Sequence, residues 1–543
     1  MLEKRRHGGG KVFEMLSQSF KRVVNFIRER RGFVCERPVL LKAIETIESA
    51  SMNKNNLDSE VYLIKAPTGY GKTLLSMSIG LNEFLRDSKV IVAYPLRSLI
   101  EEQLTSFKSL FKFYGHEKRY VGARYMGYHE SPYLIHPVTL TTIDTLSLTA
   151  LGLSPEDIAR VYSSTTGGSF VNLGHYLFAW SSIFLSSFII LDEAHMMYDS
   201  SKSLNFLKAL LDLCKSTGVN VVLMTATFPK SFENVLPKNA RKIVFDKQTD
   251  PDFYKERSDK KYEIDLLYLK SSEKLERIID ILSKHEFKKA LVLFNTVEDA
   301  VSLYKRVNGN KIIIHSRFSP KDKKVKISRL NELKYSDEKC IIVGTQAVEA
   351  GVDLSSDLII TELSPPISLV QRFGRFLRYN EKTGKAFVWI EEEVLDDSSS
   401  DRYKVYDKNL VRRTLDYLES NRDLNLHISY DEFVDYIYQE PPRLNNNLIS
   451  KLRSVLLNLV NPSGSAMDLF LELEGSFVRE GSNFIVVCEN GVEVNVSYEY
   501  LMKLKREGRC VNCPRNQLDA LRRSLAGEKF KIRASYDEEV GLV

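Results

Sequence analysis

APTGYGKT, Ala66 to Thr73, has the residue types of a loop that wraps phosphate. Gly69 and Gly71, on either side of Tyr70, let the backbone turn its N–H groups inward around anionic oxygens. Lys72 would reach the β- and γ-phosphates of a nucleoside triphosphate, and the Thr73 hydroxyl would ligate Mg²⁺. The apolar run VYLI (Val61 to Ile64) precedes this loop and the helical pattern LLSMSIGLNEFL follows it. Strand, glycine loop, helix is the context that such a loop requires. Ala66 stands where a glycine commonly opens the pattern.

A second chemical group is LDEAH, Leu191 to His195, at the tip of the apolar run FIIL (Phe188 to Leu191). Acids at a strand's C-terminal end sit where ligands bind in open α/β sheets. Asp192 would hold the metal, directly or through water, and Glu193 would orient or deprotonate an attacking water. Alone, the pair reads equally well as a helix cap. Its place in the chain lifts it: phosphate loop, DEAH, then Thr225-Ala226-Thr227 after the strand pattern VNVVLM, then an arginine-rich block. That block holds GTQAVEAGVDL, with Thr345 and Gln346 at its start, and QRFGRFLR, Gln371 to Arg378. The spacing predicts Gln371, Arg372, Arg375 and Arg378 on one turn and a half of helix, with the three arginines facing one way. Arginines aimed at a neighbouring domain can stabilise charge on a γ-phosphate bound there.

With these residues in this order, the chain resembles superfamily 2 helicases of the DEAH-box type. Within them it looks most like the CRISPR-associated helicase of type I interference systems. AVEAGVDLSSDLIITELSPPISLVQRFGR, DEAH followed by MMYD, and TATFP carry the narrower match. The resemblance implies ATP and Mg²⁺ as cofactors, with Lys72, Glu193, Gln371, Arg375 and Arg378 as catalytic residues. Gly69, Tyr70, Gly71, Lys72, Thr73 and Asp353 would hold the nucleotide, and Thr73 and Asp192 the metal. Arg375 and Arg378 look like arginine fingers and Gln371 like a γ-phosphate or water contact. Thr225 and Thr227 look like the link between hydrolysis and strand movement, and His195 of DEAH is a further coupling candidate. Thr345, Gln346, Glu349 and Asp353 lie in the segment that couples nucleotide state to nucleic acid. Pro95 and Arg97 match a backbone contact, and Thr141 lies in a segment that resembles a strand-contacting motif. His315 and Arg317 could touch phosphate, or simply form a strand-end turn. Three positions depart from the pattern: Leu377 replaces an Asn, Thr145 a Gln, and ERPVLLKA offers Arg37 but no adenine-reading Gln. Adenine specificity is therefore not implied.

The elements that must position these residues are strands alternating with helices, which gives a parallel sheet covered on both faces. Strands are predicted at 61–65, 89–94, 138–141, 187–192 and 219–225, then at 263–268, 289–294, 311–315, 340–344, 357–362 and 386–390. The reading is an α/β fold: two tandem RecA-like parallel-sheet domains with an α+β C-terminal region. The expected division is 1–45, a basic lead-in helix; 46–240, the first such domain; 241–395, the second; 396–460, a helical linker; and 461–543, a C-terminal domain. The lead-in's apolar period favours packing on the first domain over docking a partner. Helical patterns fall near 404–421, 430–438 and 446–460, and Glu489-Asn490-Gly491 marks a hairpin turn within 484–497.

With 43% hydrophobic and 27% charged residues the chain has an ordinary globular composition. No apolar run approaches the roughly 18 to 20 residues that span a bilayer. The start lacks a signal peptide's apolar segment, so a cytoplasmic protein without membrane partners is expected. A net charge of +6 permits nucleic-acid binding without demonstrating it. Only Cys510 and Cys513 have ligand spacing, and this favours structural thiols, then a local disulfide, then a metal.

The function expected is an ATP-dependent translocase on single-stranded DNA that unwinds target DNA in type I CRISPR interference, 3′-to-5′ by resemblance. Its expected partners are a crRNA-guided surveillance complex and a separate HD-type nuclease, because the sequence contains no His-Asp dipeptide. The alternatives are a general superfamily 2 DNA or RNA helicase and a nucleotide-gated recruitment scaffold.

Overall fold

The computed structural model describes residues 15–32, 36–52, 59–167, 174–198, 200–334, 336–349, 351–395, 406–457 and 462–543. The first residues of the lead-in (1–14), the end of the STTGGS loop (168–169), Cys35 and most of the acidic serine-rich linker (396–401) lie outside them.

The first sheet contains β1 (Val61–Lys65), β2 (Val90–Tyr94), β3 (Val121–Tyr125), β4 (Tyr128–His129), β5 (Val138–Thr142), β6 (Phe188–Leu191), β7 (Asn220–Thr225) and β8 (Arg241–Val244). Their order is β4-β3-β5-β2-β6-β7-β1-β8, and only the β3–β4 pair is antiparallel. The central strands are buried at nearly every position because both faces are covered. Tyr62 and Ile64 of β1 face one core layer, Val61 and Leu63 the other. The helices α1 (Leu16–Arg31), α2 (Pro38–Met52), α3 (Lys72–Leu85) and α4 (Arg97–Phe113) supply the first of those layers. The lead-in helix α1 thus packs on this domain through Phe20, Val23 and Val24.

The second sheet contains β9 (Ile264–Leu269), β10 (Lys289–Leu293), β11 (Lys311–Ile314), β12 (Cys340–Gly344), β13 (Leu358–Glu362) and β14 (Lys385–Glu391), in the order β11-β12-β10-β13-β14-β9 and parallel throughout. A third sheet, β16 (Glu493–Ser497), β15 (Asn483–Val487) and β17 (Phe530–Lys531), lies in the C-terminal region. Its hairpin turns at Gly491, whose φ of 80° suits glycine.

Four features differ from the sequence reading. Strands β3 and β4 are additional, in a segment with no clear alternation. Strand β8 completes the first sheet beyond residue 240, where an expected boundary fell; its half-exposed RKIV carries little strand signal. Cys510 and Cys513 are joined as a disulfide rather than left as thiols, because the loop holds their Cα atoms 5.6 Å apart. The helix carrying QRFGRFLR ends at Phe373, so Gln371, Arg372, Arg375 and Arg378 do not share one helix face. Leu377, at φ 45°, turns the chain to the left-handed region, and a bridge from Ser356 to Phe376 draws Arg375 and Arg378 out of helical register.

One buried ion group secures the second sheet. Lys274, 3% exposed, pairs with Glu391 at the end of β14 and with Asp299 at 2.7 Å. Lys274→Ala leaves the buried Glu391 carboxylate without its cation and is expected to cost about 3–5 kcal/mol. A urea titration followed by tryptophan fluorescence checks this through Trp389, which packs beside Lys274.

Candidate nucleotide site between two parallel sheets

The strand order decides which loops meet. β6, β7 and β1 are adjacent, so DEAH, TAT and the phosphate loop emerge side by side at one edge of the first sheet. In the second sheet β12, β10 and β13 are adjacent, which gathers the loops at Thr345, Asn295 and Pro366–Phe373. These two edges enclose a cavity of about 440 Å³. Gly69, Tyr70, Gly71, Lys72, Thr73, Asp192 and Glu193 line it from the first sheet; Gly351, Asp353, Arg375 and Arg378 line it from the second.

Gly69 and Gly71 hold φ of 77° and 95°, the left-handed turn that lets α3 begin at Lys72 with its N-terminus facing the cavity. Lys72 is nearly buried, and its ammonium donates to the carbonyls of Ala66 (2.9 Å) and Pro67 (3.3 Å). Tyr70 lies under the loop, where its hydroxyl donates to Asp250 at 2.8 Å and accepts from the Val39 N–H at 3.2 Å. Its ring packs edgewise on Phe245 and Phe253, so its side chain supports the loop from beneath.

Glu193 adopts φ 51° and ψ 45°, a left-handed conformation that costs a non-glycine residue energy and aims its carboxyl at the cavity. Burial, then the neighbouring Glu193 charge, push the Asp192 carboxyl up to about 7, against the pull of Lys72. His195 is buried and held down to about 4, chiefly by burial, so its imidazole is neutral. Its Nδ1 is 3.4 Å from Glu193 Oε2 and 3.5 Å from the Thr225 hydroxyl. Thr225 in turn donates to the Thr227 carbonyl at 2.7 Å. His195 thus stands between the acid and the TAT turn without a hydrogen bond to Glu193.

On the facing side, Arg375 donates to the carbonyls of Val348 (3.3 Å) and Glu349 (2.9 Å). Arg378 lies 3.4 Å from Asp353, whose oxygens also receive the Tyr379 hydroxyl and Lys334. Asp353 therefore lines the cavity but spends its charge on protein cations. Arg372 points away into the second domain, where it binds Glu349, Thr361, Asn295 and Tyr406. Gln371 is buried beside this group, and Gln346 donates to the Asn295 carbonyl at 3.2 Å, next to Thr345. Two glycines permit the close approach of the sheets. A Cβ on Gly374 would stand 2.8 Å from the Thr68 hydroxyl, and one on Gly351 would stand 2.2 Å from the Ser98 hydroxyl.

The donor set fits a magnesium nucleotide. Arg378 Nη1 and Glu193 Oε2 are buried at the cavity without hydrogen-bond partners, a cost that bound phosphate and water would remove; Gln371 Nε2 is also without one, but Gln371 is not among the residues that line the cavity. Thr73 and Asp192 supply one hydroxyl and one carboxylate, a set typical of Mg²⁺ that shares its shell with phosphate. Among the described residues no group of three His, Cys, Asp or Glu side chains could hold a metal unaided.

Residues 42–235 match the family model of the DEAD/DEAH box helicase, and residues 286–381 match that of the C-terminal part of the CRISPR-associated nuclease/helicase Cas3. The chain carries a DEAD/DEAH box helicase domain followed by a Cas3-like C-terminal domain. The CRISPR-associated helicase Cas3 of Thermoproteus tenax is 27% identical over 399 residues, 70% of this chain and 61% of that relative. This chain thus spans about six tenths of the relative's length. The crystal structure of T. fusca Cas3 with AMPPNP has the same fold, with a TM-score of 0.66 at 15% identity over 98% of this chain and 71% of that one. A chain of a CRISPR RNA-guided surveillance complex in a pre-nicking state has it too, with a TM-score of 0.58 at 16% identity over 91% and 70%. The two RecA-like domains of the sequence reading are this fold.

The remaining coupling candidates of this helicase fold are placed less centrally. The Pro95 carbonyl accepts from Arg479 of the C-terminal region at 3.1 Å, and Arg97 is largely covered beside Met126. Thr141 is inside the sheet, bonded to the Arg124 carbonyl at 2.7 Å. His315 accepts no open space: it is buried on Phe318 and bonds the Val540 carbonyl at 2.9 Å. Arg317 pairs with Glu298 at 3.1 Å over the Tyr500 ring. The strand-end-turn reading of HSRF describes both. Sequence reasoning missed Arg257, a buried guanidinium beside Gly69; its helix was signalled by the Asp250-Pro251 start, its role by nothing local.

The Asp192 carboxyl ionises near 4 in an unfolded chain and near 7 in the folded one. Folding takes up a proton between those values, so the cost of the buried charge grows as pH rises and is complete above about 7. Asp192→Asn is therefore expected to raise the urea midpoint at about pH 8 without divalent cation, with the gain shrinking towards pH 5.

Proposed function

We propose that this chain is an ATP-driven motor that moves on single-stranded DNA and unwinds target DNA in type I CRISPR interference. The observation that carries the reading is the single cavity in which Lys72, Asp192 and Glu193 face Arg375 and Arg378. Loop amides and Lys72 bind the phosphates. Glu193 orients the attacking water and takes its proton. Arg375 and Arg378 meet the charge that develops on the transferred phosphoryl group. Mg²⁺, held by Thr73 and Asp192, would supply charge neutralisation on the phosphate oxygens. Gln371 contacts the γ-phosphate or the water. Because the two halves of the site sit on different sheets, turnover is tied to closure of the cleft. His195, Thr225 and Thr227 carry the nucleotide state towards the strand, and Thr345 and Gln346 do so from the second sheet. Movement is 3′-to-5′.

The proposed partner is a crRNA-guided surveillance complex, a reading supported by the CRISPR-associated relatives and by the fold shared with a chain of such a complex, and the proposed compartment is the cytoplasm. The nuclease is proposed to be a separate HD-type polypeptide. Degradation of single-stranded DNA by the purified chain with Mn²⁺ and no ATP rejects that part. Among the described residues no helix is long and apolar enough to cross a membrane.

The test is steady-state ATP hydrolysis with single-stranded DNA, single-stranded RNA or no nucleic acid. DNA is expected to stimulate turnover strongly and RNA little. Arg375→Ala is expected to lower kcat by about 10³-fold, the scale of an arginine finger, and Lys72→Ala to abolish turnover. Equal or greater stimulation by RNA points instead to a general RNA-directed helicase and withdraws the CRISPR assignment.

A further inference from the structure

Between the two sheets runs the helix Pro251–Ser258, and its two ends hold opposite halves of the nucleotide site. At its start, Asp250 caps the helix by accepting the Phe253 N–H at 3.0 Å. The same carboxylate accepts the hydroxyl of Tyr70, the central residue of the phosphate loop, at 2.8 Å. At its other end, Arg257 donates from Nη1 to the Arg378 carbonyl at 3.0 Å. Lys260, just beyond, donates to the carbonyls of Tyr379 (2.5 Å) and Glu381 (2.6 Å).

Arg257 also lies close to the other half. Its Nη2 lies 3.2 Å from where a Cβ on Gly69 would stand, a tight approach at a position whose φ of 77° already favours glycine. The side chain is 7% exposed and rests on the Phe253 ring, 4.9 Å from its centroid. Its nearest carboxylate, Glu256, is 3.9 Å away, and its Nε is buried without a hydrogen-bond partner. A buried cation so weakly paired is costly to keep. A merely structural residue would be satisfied more fully, or replaced by an apolar side chain of that volume.

The geometry points to Arg257 as a positioning residue for the nucleotide reaction, one that fixes the Arg378 loop against the phosphate loop. It rests on the nucleotide-motor reading above. Arg257 reaches Arg378 through its backbone, so it sets where the Arg378 guanidinium stands without itself touching phosphate. The rigid helix then transmits any shift of Tyr70 to the arginine loop, and the reverse.

The test compares wild type, Arg257→Ala and Arg257→Gln, each also in an Arg378→Ala background. A displaced arginine of about 1 Å can cost on the order of 10²-fold in rate. Arg257→Ala is therefore expected to lower kcat at least about tenfold with the KM for nucleotide changed less than about threefold. In the Arg378→Ala background it should cost less than about twofold, because a residue that acts only through Arg378 has nothing left to position. Equal losses in both backgrounds, or wild-type kcat in Arg257→Ala, overturn the inference. Arg257→Gln keeps the aliphatic stem over Phe253 and carries the same test where the alanine variant does not fold. Hydrogen exchange separates this inference from the motor reading. Amides 375–379 should exchange at least about tenfold faster in either Arg257 variant while β1 and β13 keep their protection. Unchanged exchange at 375–379 overturns the inference whether or not the chain hydrolyses ATP; a wild type no faster than Lys72→Ala overturns the motor reading alone.

Discussion

Mutual repulsion among cations gathered at one cavity is the constraint that shapes the rest of this structure. Lys72, Arg375 and Arg378 line it, Arg37 stands at its rim, and Arg257 lies just behind. Like charges this close in a partly dry space repel by several times the thermal energy. The fold restrains them with backbone carbonyls and single carboxylates: Ala66 and Pro67 for Lys72, Val348 and Glu349 for Arg375, Asp353 for Arg378. None of these fully quenches its cation. A field of this kind is matched by a compact polyanion, and a triphosphate is the ligand it suits.

Holding such a field in place needs a stiff wall behind it. Arg372, wholly buried, ties Glu349 to Asn295, Thr361 and Tyr406. The backbone of Glu349 is what restrains Arg375, so Arg372 sets the position of Arg375 from within the second domain. Burial drives the Glu349 carboxyl above the usual range, and the Arg372 charge opposes it. Removing either partner would leave the other's charge buried without its direct counter-charge, which ties the position of one to the other.

The C-terminal region spans both domains, so motion of one sheet against the other is not free. Arg479 holds Asp144 at 2.6 Å and the Pro95 carbonyl on the first domain. On the second, Leu542 donates to the Arg317 carbonyl at 3.0 Å and His315 meets Val540 at 2.9 Å. Opening the cleft must strain or break one set of these bonds. Nucleotide closure and the fit of the C-terminal region are therefore linked equilibria.

Local chemistry was legible in the sequence wherever one segment carries the whole requirement. Strand, glycine loop and lysine sit within Val61 to Thr73, because the φ of Gly69 and Gly71 and the start of α3 are set by neighbours in the chain. The two parallel sheets followed from apolar runs buried on both faces. What the sequence could not decide was which side of each residue meets what. QRFGRFLR has helical spacing, yet Leu377 turns left-handed and the Ser356–Phe376 bridge sends Arg375 and Arg378 to the cavity while Arg372 goes inward. HSRF resembles a phosphate contact, yet the C-terminal segment covers it. Arg257 carries no motif at all and gains its place only because its helix crosses between the sheets. Propensity and spacing act over a few residues, whereas the placing of these charges is fixed by contacts between segments 23 to 225 residues apart.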